Sequence, residues 1–325
     1  MSSMPTLIAT RTANEPRPSS GPLYGRPVPV RGRPGRLLGV AAGYLLVLGL
    51  TAVAFVWTSG GQWADDQLTS RAAGTFAAAR TLLSLAGNPV VLALLLLLVL
   101  VVGAARGRTW AGVAGVGALL CSVVGADALK LAMPRPDFEF PGYSHNSFPS
   151  GHVAGATGLM FALMLVSPAR ARWWLAFVGT AGVPVIASAT MAAGWHRLSD
   201  ALGAVALASA LCCLAAAVLV RWRPAAPGRS YPPVPVRWRG GLPVRRRGLA
   251  GARDRGARDR GARDQSPGRS WPAAALLTVV GPLLVGAVAV VLPIGPGQFF
   301  ATVLVGEFTA LSMGVVAGVL CAARV

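Results

Sequence analysis

The sequence predicts an all-α fold: a polytopic membrane helical bundle with a six-span core and a C-terminal two-helix hairpin. Of its 325 residues, 54% are hydrophobic and only 13% are charged, roughly half the charged fraction of an ordinary soluble domain. The mean hydropathy is +0.58. The apolar residues are gathered into eight runs, most of them near the ~20 residues that a helix needs to cross a bilayer.

We expect each run to form a transmembrane helix. The runs lie at about 37–58, 88–105, 109–131, 152–167, 173–192, 199–220, 272–293 and 299–321. The fourth is short. The first is interpreted as a retained span rather than a cleaved signal peptide, because it lies far from the N-terminus and lacks a small-residue cleavage site.

Four segments follow from this pattern. Residues 1–36 form a basic tail that is predicted to be disordered, and residues 37–220 form the six-span core. Residues 221–271 form an Arg/Pro/Gly-rich linker with three copies of a pentapeptide, which is low-complexity sequence. Residues 272–325 form the hairpin, whose role the sequence does not reveal. Its lone acid, Glu307, is interpreted as a structural contact, and a functional role stays open.

Arginine placement predicts the orientation of the bundle. Residues 221–269 contain fourteen arginines and three aspartates, and the head and the loops after the second and fourth spans are also basic. By the positive-inside rule these segments and both termini are cytoplasmic. The loops 59–87, 132–151 and 193–198 then face the extracytoplasmic side of the cell membrane.

The net charge of +19 is explained by the arginines that flank the spans on the cytoplasmic side and by attraction to anionic lipid headgroups. Membrane lipids are therefore the expected partners. Nucleic acid is not expected as a partner, because no basic module interleaved with aromatic residues is present. The four cysteines lie in apolar runs, where they form neither a disulfide framework nor a metal-ligand pattern.

The only lysine and all three histidines lie between residues 130 and 196. Every other basic side chain is an arginine. Titratable and phosphate-binding side chains are therefore concentrated between apolar segments, on the loops predicted to be extracytoplasmic. This concentration predicts a phosphoryl-transfer site at the membrane surface.

The segment Pro149-Ser150-Gly151-His152 opens the fourth span. Ser150 is a good helix N-cap, and the first N–H groups of the helix form an anion site. Gly151 lets a phosphate approach the backbone, and His152 projects from the first turn as a proton donor. Taken alone, the segment is equally compatible with a capped helix whose histidine lies at the interface.

His196 and Asp200 are spaced i, i+4, which places them on one face of a helical turn. A carboxylate bonded to one imidazole nitrogen fixes the tautomer and leaves the other nitrogen as a nucleophile. A helix N-terminus that favours Asp, or a metal site, would also fit the pair in isolation.

Lys130 and Arg135 lie at the end of the third span. An ammonium and a guanidinium suit a non-bridging phosphate oxygen and the charge that develops in the transition state. The alternative for Lys130 is a side chain that snorkels to the interface. Asp127, one turn earlier, is a candidate partner of Lys130.

Together, these segments resemble the phosphatidic acid phosphatase type 2 superfamily. Its members carry Lys-x6-Arg-Pro, Pro-Ser-Gly-His and Ser-Arg-x5-His-x3-Asp in this order. The second motif is intact at 149–152, and the His-x3-Asp part of the third is intact at 196–200. The resemblance covers about residues 37–220, including the six-span layout.

The resemblance implies a role for each motif residue. His196 would be the nucleophile that forms a phosphohistidine, Asp200 would orient it, and His152 would protonate the leaving group. The phosphate-binding residues would be Lys130, Arg135, Ser150 and Gly151. No metal or other cofactor is implied.

Two departures from the family pattern stand out. The first motif is shortened to Lys-x4-Arg-Pro, and the family's Ser-Arg pair falls on Ala189-Thr190. The second phosphate-binding arginine is therefore replaced by Thr190, which offers a hydroxyl without a charge. Arg197, beside the nucleophile, is the candidate to replace that cation.

The expected activity is hydrolysis of a terminal phosphate from a lipid phosphate or diphosphate on the outer leaflet. Candidate substrates are phosphatidate, phosphatidylglycerol phosphate and polyprenyl diphosphates. Two alternatives remain: a phosphotransferase that uses the same phosphohistidine, and a non-catalytic lipid-binding or transport protein on the same scaffold. Vanadium haloperoxidases resemble the same motifs, but they are soluble.

Overall fold

The computed structural model describes residues 34–69, 76–138, 146–222, 238–239, 242–243, 295–323 and 325. Three predictions therefore lie outside the described residues. These are the predicted disorder of the basic head before residue 34, the predicted low-complexity conformation of most of the linker 221–271, and the seventh predicted span at 272–293. The described part of the linker contains one antiparallel pair of short strands, Trp238–Arg239 and Leu242–Pro243.

The described residues form nine α-helices. They are α1 Gly35–Thr51, α2 Ser59–Leu68, α3 Phe76–Ala86, α4 Pro89–Ala105, α5 Thr109–Ala132, α6 Gly151–Val166, α7 Ala169–Ala192, α8 Leu198–Trp222 and α9 Pro296–Ala322. A π-helical turn, Ala52–Val56, extends α1. The predicted all-α polytopic bundle is thereby confirmed.

Within the described residues, five helices are long and apolar enough to cross a membrane. They are α1 with its π-helical turn, α5, α7, α8 and α9. A sixth span results if α3 and α4 act as one broken span, with a bend of 55° between them. The predicted fourth span corresponds to α6, a shorter apolar helix of 16 residues.

The interpretation of 59–87 as a loop was wrong, because this region contains α2 and α3. The Thr58 hydroxyl caps α2 by accepting from Gly61 N, and the Asn88 side chain caps α4 by accepting from Val90 N. Pro89 follows at the first position of α4, where its missing N–H costs nothing. The apolar segment is therefore divided at residues 87–88 into α3 and α4. The hydrophobic pattern predicted only the second part, α4, as a span.

Helix α8 lies at the centre of the bundle, where it packs against α1, α5, α6 and α9. Its sequence is rich in Ala, and most of its side chains are buried. Small side chains let neighbouring helices approach closely, which is how helices associate when hydrophobic burial gives no advantage. The C-terminal helix α9 packs along α7, where Gln298 Nε2 donates to Ser188 O at 3.0 Å.

Four helices meet at one end of the bundle, which we call the motif end. Here α5 and α7 finish, and α6 and α8 begin. The short helix α2 also reaches this end, since the Trp57 indole before it donates to Pro134 O at 3.1 Å. All the motif residues therefore lie at one end of the helices.

Gly203 fixes the packing of this end against α8. A Cβ at this position would clash with the ring of Phe148, which is fully buried. We expect Gly203→Ala to destabilise the protein by about 1–3 kcal/mol, because the ring must move within a filled core. Thermal unfolding in detergent tests this prediction. The matched control is Gly117→Ala in α5, where a Cβ would meet nothing within 4 Å; an equal loss of stability in both variants would contradict it.

Candidate active site

A histidine two residues before α8 lies against a buried carboxylate in the first turn of that helix. His196 Nδ1 lies 3.2 Å from Asp200 Oδ2, and the Arg197 N–H donates to the same oxygen at 2.9 Å. Asp200 is fully buried, whereas His196 is partly exposed. The carboxylate therefore fixes the imidazole so that Nε2 is the nitrogen available to a substrate.

The backbone before His196 is a tight turn. Gly194 has a φ of +70°, a left-handed conformation that ends α7 without the strain a side chain would add. The N–H groups of Trp195 and His196 then donate to Thr190 O at 3.0 and 3.3 Å. This turn places His196 back over the end of α7.

Ser150 joins the second and third motifs. Its hydroxyl accepts from Val153 N at 3.4 Å and caps α6, while its own N–H donates to Asp200 O at 2.9 Å. Ser150 is completely buried. The first turns of α6 and α8 are thus held together by the backbone, which leaves Gly151 and His152 facing the space in front of His196.

His152 lies beside His196, close enough for the two rings to interact electrostatically. The His152 ring stacks obliquely on Trp195, with centroids 5.8 Å apart, and makes a backbone hydrogen bond to Leu83 of α3. A Cβ at Gly87 would lie 2.9 Å from His152 Nε2. The end of α3 therefore confines the His152 ring.

Lys130 completes the front of the site. Its Nζ lies 2.9 Å from Asp127 Oδ1, as the one-turn spacing predicted. Both atoms lie 3.7 Å from the position that a Cβ would take at Gly151. The ammonium is therefore placed beside the N-terminus of α6, where an anion would bind.

The remaining predicted site residues surround this centre without lining its cavity. The Thr190 hydroxyl is buried and donates to Ala187 O at 2.7 Å, within its own helix. Arg197 is also buried and interacts electrostatically with Asp65. Arg135 lies in the loop after α5, between two prolines whose carbonyl groups are bound by the segment around α2.

Sequence reasoning did not identify Asp65 and Ser147 as part of the site. The Ser147 side chain hydrogen-bonds to Asp200 from the loop before α6. The Asp65 carboxylate is fully buried and accepts from Ser199 N at 3.0 Å and from Ser199 Oγ at 2.5 Å. Burial, and then repulsion by Asp200, raise the pKa of Asp65 to about 6. The only signal in the sequence was that Asp65 belongs to a predicted extracytoplasmic loop.

One cavity of about 630 Å³ connects the motif residues with an apolar groove between the helices. Its polar end is formed by Asp127, Lys130, Gly151, His152 and His196. The groove is lined by α4 to α7, including Leu92, Leu95, Leu119, Val123, Gly155, Leu159, Val178, Gly179, Gly182 and Ile186. The arrangement joins an end lined by an ammonium group, two imidazoles and the N-terminus of α6 to an apolar groove.

Comparison with protein families identifies this part of the chain. Residues 116–224 match the PAP2 superfamily. This match confirms the predicted family over residues 116–224, about a third of the chain, and it suggests a phosphatase-type activity. The PAP2 match begins within α5 and ends just after α8, so it contains the predicted site residues but neither α1–α4 nor α9. Comparisons with curated proteins and with solved structures gave no match.

Proposed function

We propose that this chain is an integral membrane phosphatase that hydrolyses the terminal phosphate of a lipid phosphate or polyprenyl diphosphate through a phosphohistidine. The observation that carries the proposal is the shared cavity of His152 and His196. Lys130 and Gly151 lie beside them, and Asp200 holds the far nitrogen of His196. A nucleophile, a proton donor and an anion site therefore meet at the end of an apolar groove.

In the first step, the lone pair of His196 Nε2 attacks phosphorus while the bond from phosphorus to the leaving oxygen breaks. His152 gives its proton to that oxygen, so the lipid leaves as an alcohol or a monophosphate. Asp200 accepts the hydrogen bond from Nδ1 and stabilises the positive charge that develops on the imidazole. The product of this step is a phosphohistidine.

In the second step, a water molecule attacks the same phosphorus atom. Neutral His152 takes a proton from the water, the P–N bond breaks, and its electron pair returns to His196 Nε2. Inorganic phosphate leaves and both histidines regain their starting states. The same side chain therefore acts first as an acid and then as a base.

The transferred phosphoryl group needs positive charge around its oxygens. Lys130 and the N-terminus of α6 supply this charge at the cavity, and Arg135 and Arg197 are proposed to supply it from the surrounding shell. Because the protein itself provides these groups, we expect turnover without an added metal ion.

The groove supports a lipid rather than a soluble substrate. Leu119 and Lys130 lie on the same helix, and a rise of about 1.5 Å per residue separates them by ~16 Å along it. This distance is about half of the ~30 Å hydrocarbon core. Val178 and Gly182 line the groove and are exposed at the side of the bundle. A lipid chain can therefore lie in the groove while its headgroup reaches His196.

The proposed location is the cell membrane, with the site on the extracytoplasmic face and both termini in the cytoplasm. The basic residues Arg106, Arg108, Arg170 and Arg172 lie at the end of α4 and at the starts of α5 and α7. This is the end opposite the motif end. By the positive-inside rule, that opposite end is cytoplasmic.

Phosphate release by the purified protein tests the proposed function. A panel of phosphatidate, phosphatidylglycerol phosphate and a prenyl diphosphate would be assayed with EDTA present, and repeated in right-side-out and inverted vesicles. We expect release from at least one lipid, in EDTA and on the extracytoplasmic side. Loss of turnover in EDTA, or no release from any lipid, would contradict the proposal. Transfer of the phosphoryl group to an added alcohol without free phosphate would identify a phosphotransferase instead.

The groove gives a specific prediction about chain length. A Cβ at Gly182 would meet nothing within 4 Å, and this position lines the groove, so we expect the side chain of Gly182→Leu to extend into the groove. We expect this variant to lower kcat/KM for a long-chain lipid phosphate by about tenfold, because the side chain occupies space that the hydrocarbon needs. Turnover of soluble p-nitrophenyl phosphate should stay unchanged.

The matched control is Gly117→Leu. This glycine also has open space around it, but it does not line the cavity. Equal kinetics of the two variants on the lipid substrate would show that the groove does not hold the lipid chain.

A further inference from the structure

Helix α2 and its C-cap residue Thr69 present three buried polar side chains on one face. Gln62, Asp65 and Thr69 follow the i, i+3, i+7 spacing of a helical stripe, and their exposed fractions are 5%, 0% and 6%. Buried polar groups are normally hydrogen-bonded. The Thr69 hydroxyl donates to Asp65 O, one turn earlier in the chain, at 2.8 Å. Asp65 bonds to Ser199 in the first turn of α8, and Gln62 bonds to Val56 and to Pro136 in the loop after α5.

Asp65 contacts the turn that carries the nucleophile. Its two carboxylate oxygens accept from the N–H and the hydroxyl of Ser199, which lies between His196 and Asp200 in the chain. A carboxylate at the N-terminus of α8 satisfies a backbone donor there and interacts favourably with the helix dipole. The charged groups that face it are Arg197, which attracts it, and Asp200, which repels it.

Gln62 contacts the loop that carries Arg135. Its amide nitrogen donates to Val56 O at 2.8 Å and to Pro136 O at 3.0 Å. The Trp57 indole donates to Pro134 O, so the carbonyl groups on both sides of Arg135 are bound. The loop that carries this cation is therefore attached to the start of α2.

We propose that Asp65 and Gln62 are positioning residues: Asp65 fixes the nucleophile turn through Ser199, and Gln62 fixes the Arg135 loop through Pro136. Neither side chain lines the cavity, so each acts through the residue it holds. The predicted kinetic consequences rest on the proposed function. They differ between the two residues, because one loop carries the reacting nitrogen and the other carries a cation for the phosphate.

The first arm of the experiment compares three substitutions in α2. Asp65→Ala is expected to lower kcat by about 10–100-fold with little change in KM, because small displacements of a reacting group are costly. Asp65→Asn is expected to restore most of kcat, because its amide oxygen still accepts from Ser199 N and its NH₂ group donates to the hydroxyl. Asp66→Ala is the matched control, since Asp66 is the neighbouring acid on a more exposed face of α2.

The second arm uses Gln62→Leu, which keeps most of the side-chain volume and removes the donor. We expect KM to rise by about tenfold with kcat nearly unchanged, because the loss falls on phosphate binding. If Asp65→Ala and Gln62→Leu lower kcat and raise KM in the same proportion, or if Asp65→Asn is as impaired as Asp65→Ala, the two residues are only structural.

A readout without turnover separates this proposal from the proposed function. Carbethoxylation of His196 by diethyl pyrocarbonate, followed by mass spectrometry, reports on the placement of its imidazole. We expect Asp65→Ala to change the rate at His196 several-fold, and Asp65→Asn and Asp66→Ala to leave it at the wild-type value. If the wild-type protein released no phosphate, the proposed function would fail, and this labelling would still test the role of Asp65. An unchanged rate in Asp65→Ala would overturn that role.

Discussion

His196→Ala is expected to abolish phosphate release from the lipid substrate, with a loss of about 10⁴-fold or more in kcat. The reason is that the variant has no lone pair in front of the phosphorus atom, while Asp200 and the anion site remain. The measurement is inorganic phosphate release by variants that elute as the wild type does on size exclusion.

Trapping the intermediate gives the positive half of this test. Wild-type protein quenched during turnover of a phosphorus-labelled substrate should carry acid-labile phosphate on His196, and the alanine variant should carry none. His145→Ala, which removes the histidine without an assigned role, should retain both the label and the turnover. Retained turnover in His196→Ala, or label on another residue, would show that the nucleophile is assigned wrongly.

His152→Ala is expected to produce a defect that depends on the leaving group. General acid catalysis contributes about 10²–10⁴-fold when the leaving group is strongly basic. A lipid alkoxide leaving from phosphatidate is strongly basic and needs the proton. The p-nitrophenolate anion is weakly basic and leaves without it. The variant should therefore lose most of its rate on phosphatidate and much less of the phosphorylation rate on p-nitrophenyl phosphate.

The second step should also be slow in this variant, because His152 is the base that activates water. With p-nitrophenyl phosphate we expect a burst of p-nitrophenolate, followed by a slow steady state and accumulation of phosphohistidine. The double variant His152→Ala with His196→Ala should show no burst. An equal loss on both substrates, without an accumulated intermediate, would exclude His152 as the acid and base.

The sequence was sufficient to bring together the residues at the centre of the candidate site, because these residues are close together in the chain. Ser150 caps α6 by accepting from Val153 N, three positions later, and His196 contacts Asp200, four positions later. Local geometry therefore brings each of these two pairs together. Apolar length likewise predicted the helices that are long enough to span. It failed at α2 and α3, where a break at residues 87–88 and polar residues concealed two helices.

The sequence did not predict the residues that join distant parts of the site. Asp65 and Ser199 are 134 positions apart, and Gln62 and Pro136 are 74 apart, so no local pattern connects them. Thr190 illustrates the same limit. Its alignment with a motif arginine suggested a substrate contact. In the structure its hydroxyl bonds to its own helix, and its carbonyl group supports the turn before His196.

The sequence by itself therefore determined the class of fold and the family of residues 116–224, since apolar length and short spacings express local physics. Only the tertiary structure decided which loops are held against those motifs, and that a groove from α4 to α7 ends at His196. The physical reason is that a bundle forms by packing between helices that are far apart in sequence. The chain encodes these contacts through small and polar residues that carry no signal until the helices are assembled.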